Sequence, residues 1–267
     1  MKGYSLPLSP TGRSSLVPAP PWHYVGNLIV IEYWADAAAV RSFLPPGLEP
    51  AEDAARCAAI FADWQSCTEG GDELLDPIRS QYREFFVLTG ATLDGEAVTS
   101  CPFIYVDQDV AMVRGLIQGW PKQLGSVYMT RAFGLPSKAA PLLGPNGTFA
   151  GTLAVKDRRL VDATVTIERE ALSAPSLGVT PIINVRHFPR LVVGYHDRPA
   201  VHELVRSKMD DISVSQVWEG SATLEFCESP HQELHLLAPV KVGNGYVYSI
   251  AMTIGDLIEI RDLRDID

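Results

Sequence analysis

Asp94-Gly95 lies between two long apolar-rich stretches, Tyr82–Leu93 and Ala97–Val106. A two-residue Asp-Gly connector suits a type I′ turn, which needs positive φ at both central positions and matches the twist of paired strands. The middle of the chain is thereby committed to an antiparallel hairpin. Similar punctuation recurs. Asn146-Gly147 opens Thr148–Val155, Asp157-Arg158-Arg159 turns that stretch into Leu160–Glu168, and Gly243-Asn244-Gly245 reads as a turn ahead of Tyr246–Ile254. Asn27–Trp34, Arg56–Trp64, Ser126–Phe133 and Asp210–Cys227 add further strands, and Leu177–Gly194 holds short ones around Pro181 and Pro189. Many strands at turn-punctuated spacing predict a sandwich or barrel. Helix is confined to short pieces: Ala35–Phe43, with Asp36 as N-cap and Pro45-Pro46-Gly47 as terminator, Asp107–Ile117, and a last turn or two within Ile254–Leu263.

No repeat, low-complexity tract or linker divides the 267 residues. Residues 1–21 carry Pro7, Pro10, Pro18, Pro20 and Pro21 and read as an extended N-terminal arm; 22–267 read as a single mainly-β domain. A net charge of -10 argues against a nucleic-acid surface, which needs clustered cations to replace the counterions of phosphate. No apolar run approaches the ~20 residues of a membrane span, and no secretory signal precedes Pro18. The expectation is a cytoplasmic protein. Cys57, Cys67, Cys101 and Cys227 are scattered, and His231 and His235 stand beside helix-breaking Pro230, so no metal site is expected.

The chemistry concentrates in Gln118-Gly119-Trp120-Pro121-Lys122-Gln123-Leu124-Gly125, which follows the apolar run Val110-Ala111-Met112-Val113. An unperturbed lysine, with a pKa of ~10.4, is almost wholly protonated at neutral pH, and ammonium cannot attack a carbonyl. Burial against Trp120 would free the amine. The other reading lays the stem of Lys122 on the surface with its charge in water. Glu84, in Gln81-Tyr82-Arg83-Glu84, is open in the same way: a proton carrier, or a strand glutamate paired with Arg83 or facing solvent. On a strand, Arg83 points away from Glu84.

Pro102-Phe103-Ile104-Tyr105-Val106-Asp107, then Ala111 and Met112, then Gly119-Trp120-Pro121-Lys122, with Gly151-Thr152-Leu153, Val217-Trp218-Glu219-Gly220 and Pro239-Val240 downstream, resemble the acetoacetate decarboxylase superfamily over about residues 18–260. The resemblance implies a strongly curved sheet closing into a cone or double β-barrel, usually in homo-oligomers, with no cofactor. It implies that Lys122 forms a Schiff base and that Glu84 is one of two site acids. Three family side chains are missing: Gln123 stands where a second lysine belongs, the other acid falls near Ala58, and an arginine falls near Gly26. With that carboxylate-orienting machinery gone, decarboxylation recedes, and the enamine chemistry left to Lys122 points to aldol condensation and dehydration of a small α-keto acid such as pyruvate with an aldehyde, or its reverse. A β-keto acid decarboxylase and a non-catalytic binding module remain the alternatives. Gln118 is a candidate substrate contact. Tyr82, Trp120, Arg79, Tyr24 and Gln123, together with Arg83, are further candidates to bind or surround the substrate.

Overall fold

The computed structural model describes residues 1–264. Its strands are β1 (Trp22–Trp34), β2 (Glu49–Pro50), β3 (Arg56–Thr68), β4 (Gln81–Leu93), β5 (Glu96–Val106), β6 (Lys122–Leu124), β7 (Ser126–Met129), β8 (Thr148–Val155), β9 (Arg158–Glu170), β10 (Ile183–Phe188), β11 (Val201–Val214), β12 (Trp218–Phe226) and β13 (Lys241–Asp262). Two α-helices, α1 (Ala37–Ser42) and α2 (Asp109–Ile117), and a few 3-10 turns complete it.

Ten strands form the path β6-β5-β4-β3-β1-β13-β12-β9-β8-β7, and β10, β11 and β2 pair off it. All ladders between these strands are antiparallel except β5 with β6. The sheet is curved, and no ladder joins β6 to β7 to close it. Its two ends are nevertheless adjacent in the chain: β6 stops at Leu124, β7 starts at Ser126, and Gly125 between them donates its N–H to Val106 O. A Cβ on Gly125 would stand 3.0 Å from Leu153 and 3.3 Å from Tyr105, so this junction has room only for glycine or a shifted neighbour. The sheet is thus curved as expected but is not closed into a cone by hydrogen bonds, and its two ends are joined only through the chain.

Alternation along the central strands fills two cores. Ile29, Ile31, Phe61, Phe85, Val87 and Tyr105 face one; Leu28, Val30, Ile60, Phe86, Leu88 and Ile104 face the other. Both faces are covered, which is why these strands read as nearly continuous apolar runs. The second core also takes Val17 from the N-terminal residues, which is fully buried. That face is where polar side chains intrude: Tyr82 and Glu84 are buried on it from β4.

The Asp94-Gly95 hairpin has positive φ at both residues, 50° and 85°, and Asp36 caps α1 by accepting from Ala39 N. Other expectations need correction. The turn between β8 and β9 is centred on Lys156 and Asp157, with φ of 47° and 63°, one residue earlier than Asp157-Arg158-Arg159 suggested. Leu177–Gly194 contains one strand, β10, and Ser126–Phe133 is strand only to Met129. Gly243-Asn244-Gly245 is no turn. It lies within β13, where a Cβ on Gly245 would come within 2.4 Å of Val165, so the glycine permits a close approach of strands. Ile254–Leu263 forms no helix either: β13 continues to Asp262, because β11 supplies an antiparallel partner for that stretch.

Candidate active site

Helix α2 delivers the lysine. Its period of 3.6 brings Ala111, Arg114, Gly115 and Gln118 to the buried face. It ends in a Schellman turn: Trp120 N–H donates to Gly115 O at 2.9 Å, Gly119 N–H to Leu116 O at 3.2 Å, and Gly119 takes the left-handed φ of 83°. Pro121 has no N–H with which to continue the helix, and the chain reverses so that Lys122 enters β6 beside Ile104. The glycine, tryptophan, proline and lysine of the motif thus act as one turn that aims the lysine back across its own helix.

Gly115 makes that crossing possible. A Cβ there would lie 2.2 Å from Lys122 Cδ and 2.5 Å from Cε. Gly115→Ala is therefore expected to displace the amine by about an ångström and to lower kcat by about 10²-fold, the scale of such misplacements, with little loss of thermal stability. Steady-state rates beside a melting curve check this.

The amine meets Glu84. Lys122 Nζ donates to Glu84 Oε2 at 2.5 Å, and Trp64 Nε1 donates to Glu84 Oε1 at 3.2 Å. The lysine and glutamate side chains are 8% and 7% exposed. Burial holds the Lys122 pKa below the usual lysine value, opposed by the nearby Glu84 carboxylate and reinforced by the charge of Arg114. Tyr24 and Tyr82 stand nearby, with Lys122 Nζ 5.3 Å from the Tyr82 ring centroid. Burial raises both phenols above their usual range, so they are neutral hydroxyl donors at neutral pH.

These groups line one cavity. Lys122, Glu84, Gln118, Tyr24, Tyr82 and Trp120 form its polar end. Gln118 Nε2 donates to Arg114 O, while its buried Oε1 has no partner. The rest of the lining is apolar, from Leu28, Ile60, Ile182, Met209 and the alternating inward face of β13, Tyr248, Ile250, Met252 and Ile254.

Three candidates fall outside. Arg79 is exposed on the 3-10 turn Pro77–Arg79 and does not line this cavity. Gln123 points away from it, because the neighbour of Lys122 on a strand faces the opposite side; its Oε1 accepts from Gln232 Nε2 at 3.1 Å. Arg83 likewise leaves Glu84 and pairs with Asp107 at 2.8 Å. Trp64 was missed as a site residue. Its ring fills the space above Gly26, where a Cβ would come within 2.3 Å of it. Near the place of the family's arginine this chain therefore has an indole. Arg114 was also missed, although it is buried behind the two phenols. Among the described residues no cluster of three or more metal-ligating side chains occurs, and no helix is long and apolar enough to cross a membrane.

A curved, mainly antiparallel sheet wrapped around a desolvated lysine defines a class of protein, a scaffold that keeps an amine dry. The chain belongs to the acetoacetate decarboxylase family, whose sequence profile matches residues 5–262. It is 24% identical to an acetoacetate decarboxylase of Chromobacterium violaceum over 242 residues, 90% of this chain and 84% of that protein. Among solved structures it is similar to the enduracididine biosynthesis enzyme MppR at 41% identity. The complex of that enzyme with the condensation product of pyruvate and imidazole 4-carboxaldehyde superposes with a TM-score of 0.92, covering 100% of this chain and 98% of that one. Its complex with pyruvate gives 0.91, covering 98% of each. An acetoacetate decarboxylase-like enzyme from Sphingomonas wittichii RW1, at 24% identity and a TM-score of 0.87 over 98% of this chain and all of that one, shares the fold.

Proposed function

We propose that the protein is a Schiff-base lyase that condenses pyruvate, or a similarly small α-keto acid, with an aldehyde and then eliminates water. The carrying observation is the buried Lys122–Glu84 pair at the polar end of an otherwise apolar cavity. The similarity to MppR, solved with pyruvate and with a pyruvate–aldehyde condensation product, supports the same choice.

Glu84 takes the ammonium proton, the neutral amine of Lys122 attacks the keto carbon, and Glu84 returns that proton to the departing oxygen, so that water leaves and a protonated imine forms. Glu84, within reach of the same nitrogen, then takes a proton from the methyl carbon and leaves an enamine. The enamine carbon bonds to the aldehyde carbon, whose oxygen takes a proton from the Tyr24 or Tyr82 hydroxyl, replenished by the proton that Glu84 removed, while Gln118 can offer that oxygen only a hydrogen bond. A second proton leaves the former methyl carbon, the new hydroxyl departs as water, and hydrolysis of the imine restores Lys122. Pyruvate and aldehyde thus give an unsaturated keto acid and one water.

The aldehyde lies against Leu28, Ile250, Met252 and Ile254, which offer no charge and no hydrogen bond. An apolar aldehyde is therefore the expected partner. Benzaldehyde should react with kcat/KM at least about tenfold above glyoxylate, since one or two buried methylene equivalents are worth that much in an apolar pocket. Growth of the conjugated product's ultraviolet absorbance, with carbon dioxide release from acetoacetate followed in parallel, tests the reading. Rapid carbon dioxide release with no condensation would replace it with decarboxylation. We further propose a cytoplasmic homo-oligomer, on the family resemblance, which light scattering of the purified chain tests.

A further inference from the structure

Arg114 is a buried charge beside the cavity that the chemistry above does not use. It is 4% exposed on the buried face of α2. Its Nη2 donates to Ser66 Oγ at 3.2 Å, and its guanidinium carbon lies 4.9 Å from the Tyr24 ring centroid and 5.6 Å from that of Tyr82. Both tyrosines line the cavity and Arg114 does not, so the rings stand between the cation and the substrate space. Among the described residues no carboxylate lies within ion-pair distance of it. The nearest site acid, Glu84, is engaged by Lys122 and Trp64.

A buried charge without a counter-ion is costly, and the cost falls if an anion arrives. We propose that Arg114 is a positioning residue that sets the charge of the substrate: through the Tyr24 and Tyr82 phenols it draws one carboxylate to the polar end of the cavity. The inference rests on the Schiff-base reading and adds to it the group that selects a keto acid over an uncharged ketone.

The charges follow from the imine. With pyruvate bound, the protonated imine and Arg114 are the two cations, and Glu84 and the substrate carboxylate are the two anions, so the closed site is neutral. An uncharged ketone leaves it one charge positive, and a keto diacid leaves it one charge negative. In a dry cavity either imbalance is disfavoured. Polarised by the guanidinium, the two hydroxyls become stronger donors toward an incoming carboxylate. Arg114 also replaces, from a different element, a cation that Gln123 cannot supply beside Lys122.

The test compares pyruvate with methyl pyruvate, which has nearly the same shape and no charge, in wild-type protein and in Arg114→Met and Arg114→Lys. Calorimetry gives affinity and borohydride trapping gives the adduct. Wild type should bind pyruvate better than the ester. Arg114→Met should lose at least about 30-fold in pyruvate affinity, the scale for truncating one partner of a desolvated charge pair, and leave the ester within about threefold. Arg114→Lys should retain the preference for the acid and a melting temperature near wild type, which separates charge from packing should the methionine variant fold poorly. Equal losses for acid and ester, or no loss for either, would overturn the proposal while leaving the lysine chemistry intact. Charge-selective binding that depends on Arg114, with no trapped adduct, would uphold it and remove the Schiff base instead.

Discussion

Lys122→Ala is expected to abolish the borohydride-trapped pyruvate adduct and to lower turnover on the order of 10⁴-fold or more, the scale on which covalent nucleophiles are lost. It also strands Glu84 as a buried carboxylate with Trp64 as its remaining donor, and breaking a buried ion pair from one side costs about 3–5 kcal/mol. Loss of activity alone would then confuse an absent nucleophile with a loosened fold. Lys122→Arg separates the two, because a guanidinium preserves the positive charge toward Glu84 yet stays protonated and cannot form an imine. Its expected result is a melting temperature closer to wild type than that of the alanine variant, with no adduct. Peptide mapping decides the matter: an adduct on another lysine with turnover intact would remove Lys122 from the reaction.

The lysine was legible because its motif is local. Gly119, Trp120 and Pro121 are the residues a helix-ending turn demands, so sequence and turn geometry carry the same information. Glu84 was open on its own residues and was singled out by the family resemblance; what alternation along β4 did foretell is that Arg83 faces away from Tyr82 and Glu84. Arg114 was not. On a short helix an arginine reads as a solvent-facing residue, and only the fold that sets Arg114 against Tyr24, Tyr82 and Ser66 turns that face inward. Its spacing of four from Gln118 was the available signal, since both then share the face that precedes the lysine.

The apolar wall shows the same limit at longer range. Tyr248, Ile250, Met252 and Ile254 alternate visibly, but Gly243 and Gly245 suggest a break where the structure has one 22-residue strand. Those glycines answer to neighbours remote in sequence: Val165 lies over Gly245 and Trp34 over Gly243. A glycine that permits close approach cannot be told from one that makes a turn until its neighbour is known. The misplacement of Arg79 and Gln123 has a similar origin, because sequence proximity to Glu84 or Lys122 was read as spatial convergence, and strand alternation and the 3-10 turn undo it.

Glu84→Gln is expected to split the reaction at the proton. The carboxylate favours the charged form of Lys122, whereas burial and Arg114 both disfavour it. Replacing the carboxylate by an amide of similar shape removes the one large influence that holds the proton on, so the Lys122 pKa falls further below 10.5. The free-amine fraction at neutral pH rises, and the midpoint of adduct formation against pH moves to lower pH than in wild type. Enamine formation moves the opposite way, for the amide cannot accept a proton from the methyl carbon. Exchange of the pyruvate methyl protons for deuterium, followed by NMR, should slow about 10²–10⁴-fold. A variant that traps pyruvate at lower pH and yet exchanges its methyl protons slowly would assign Glu84 to carbon deprotonation. A midpoint displaced to higher pH would mean that Glu84 does not govern the charge of Lys122, and exchange at the wild-type rate would pass the role of base to another group in the cavity.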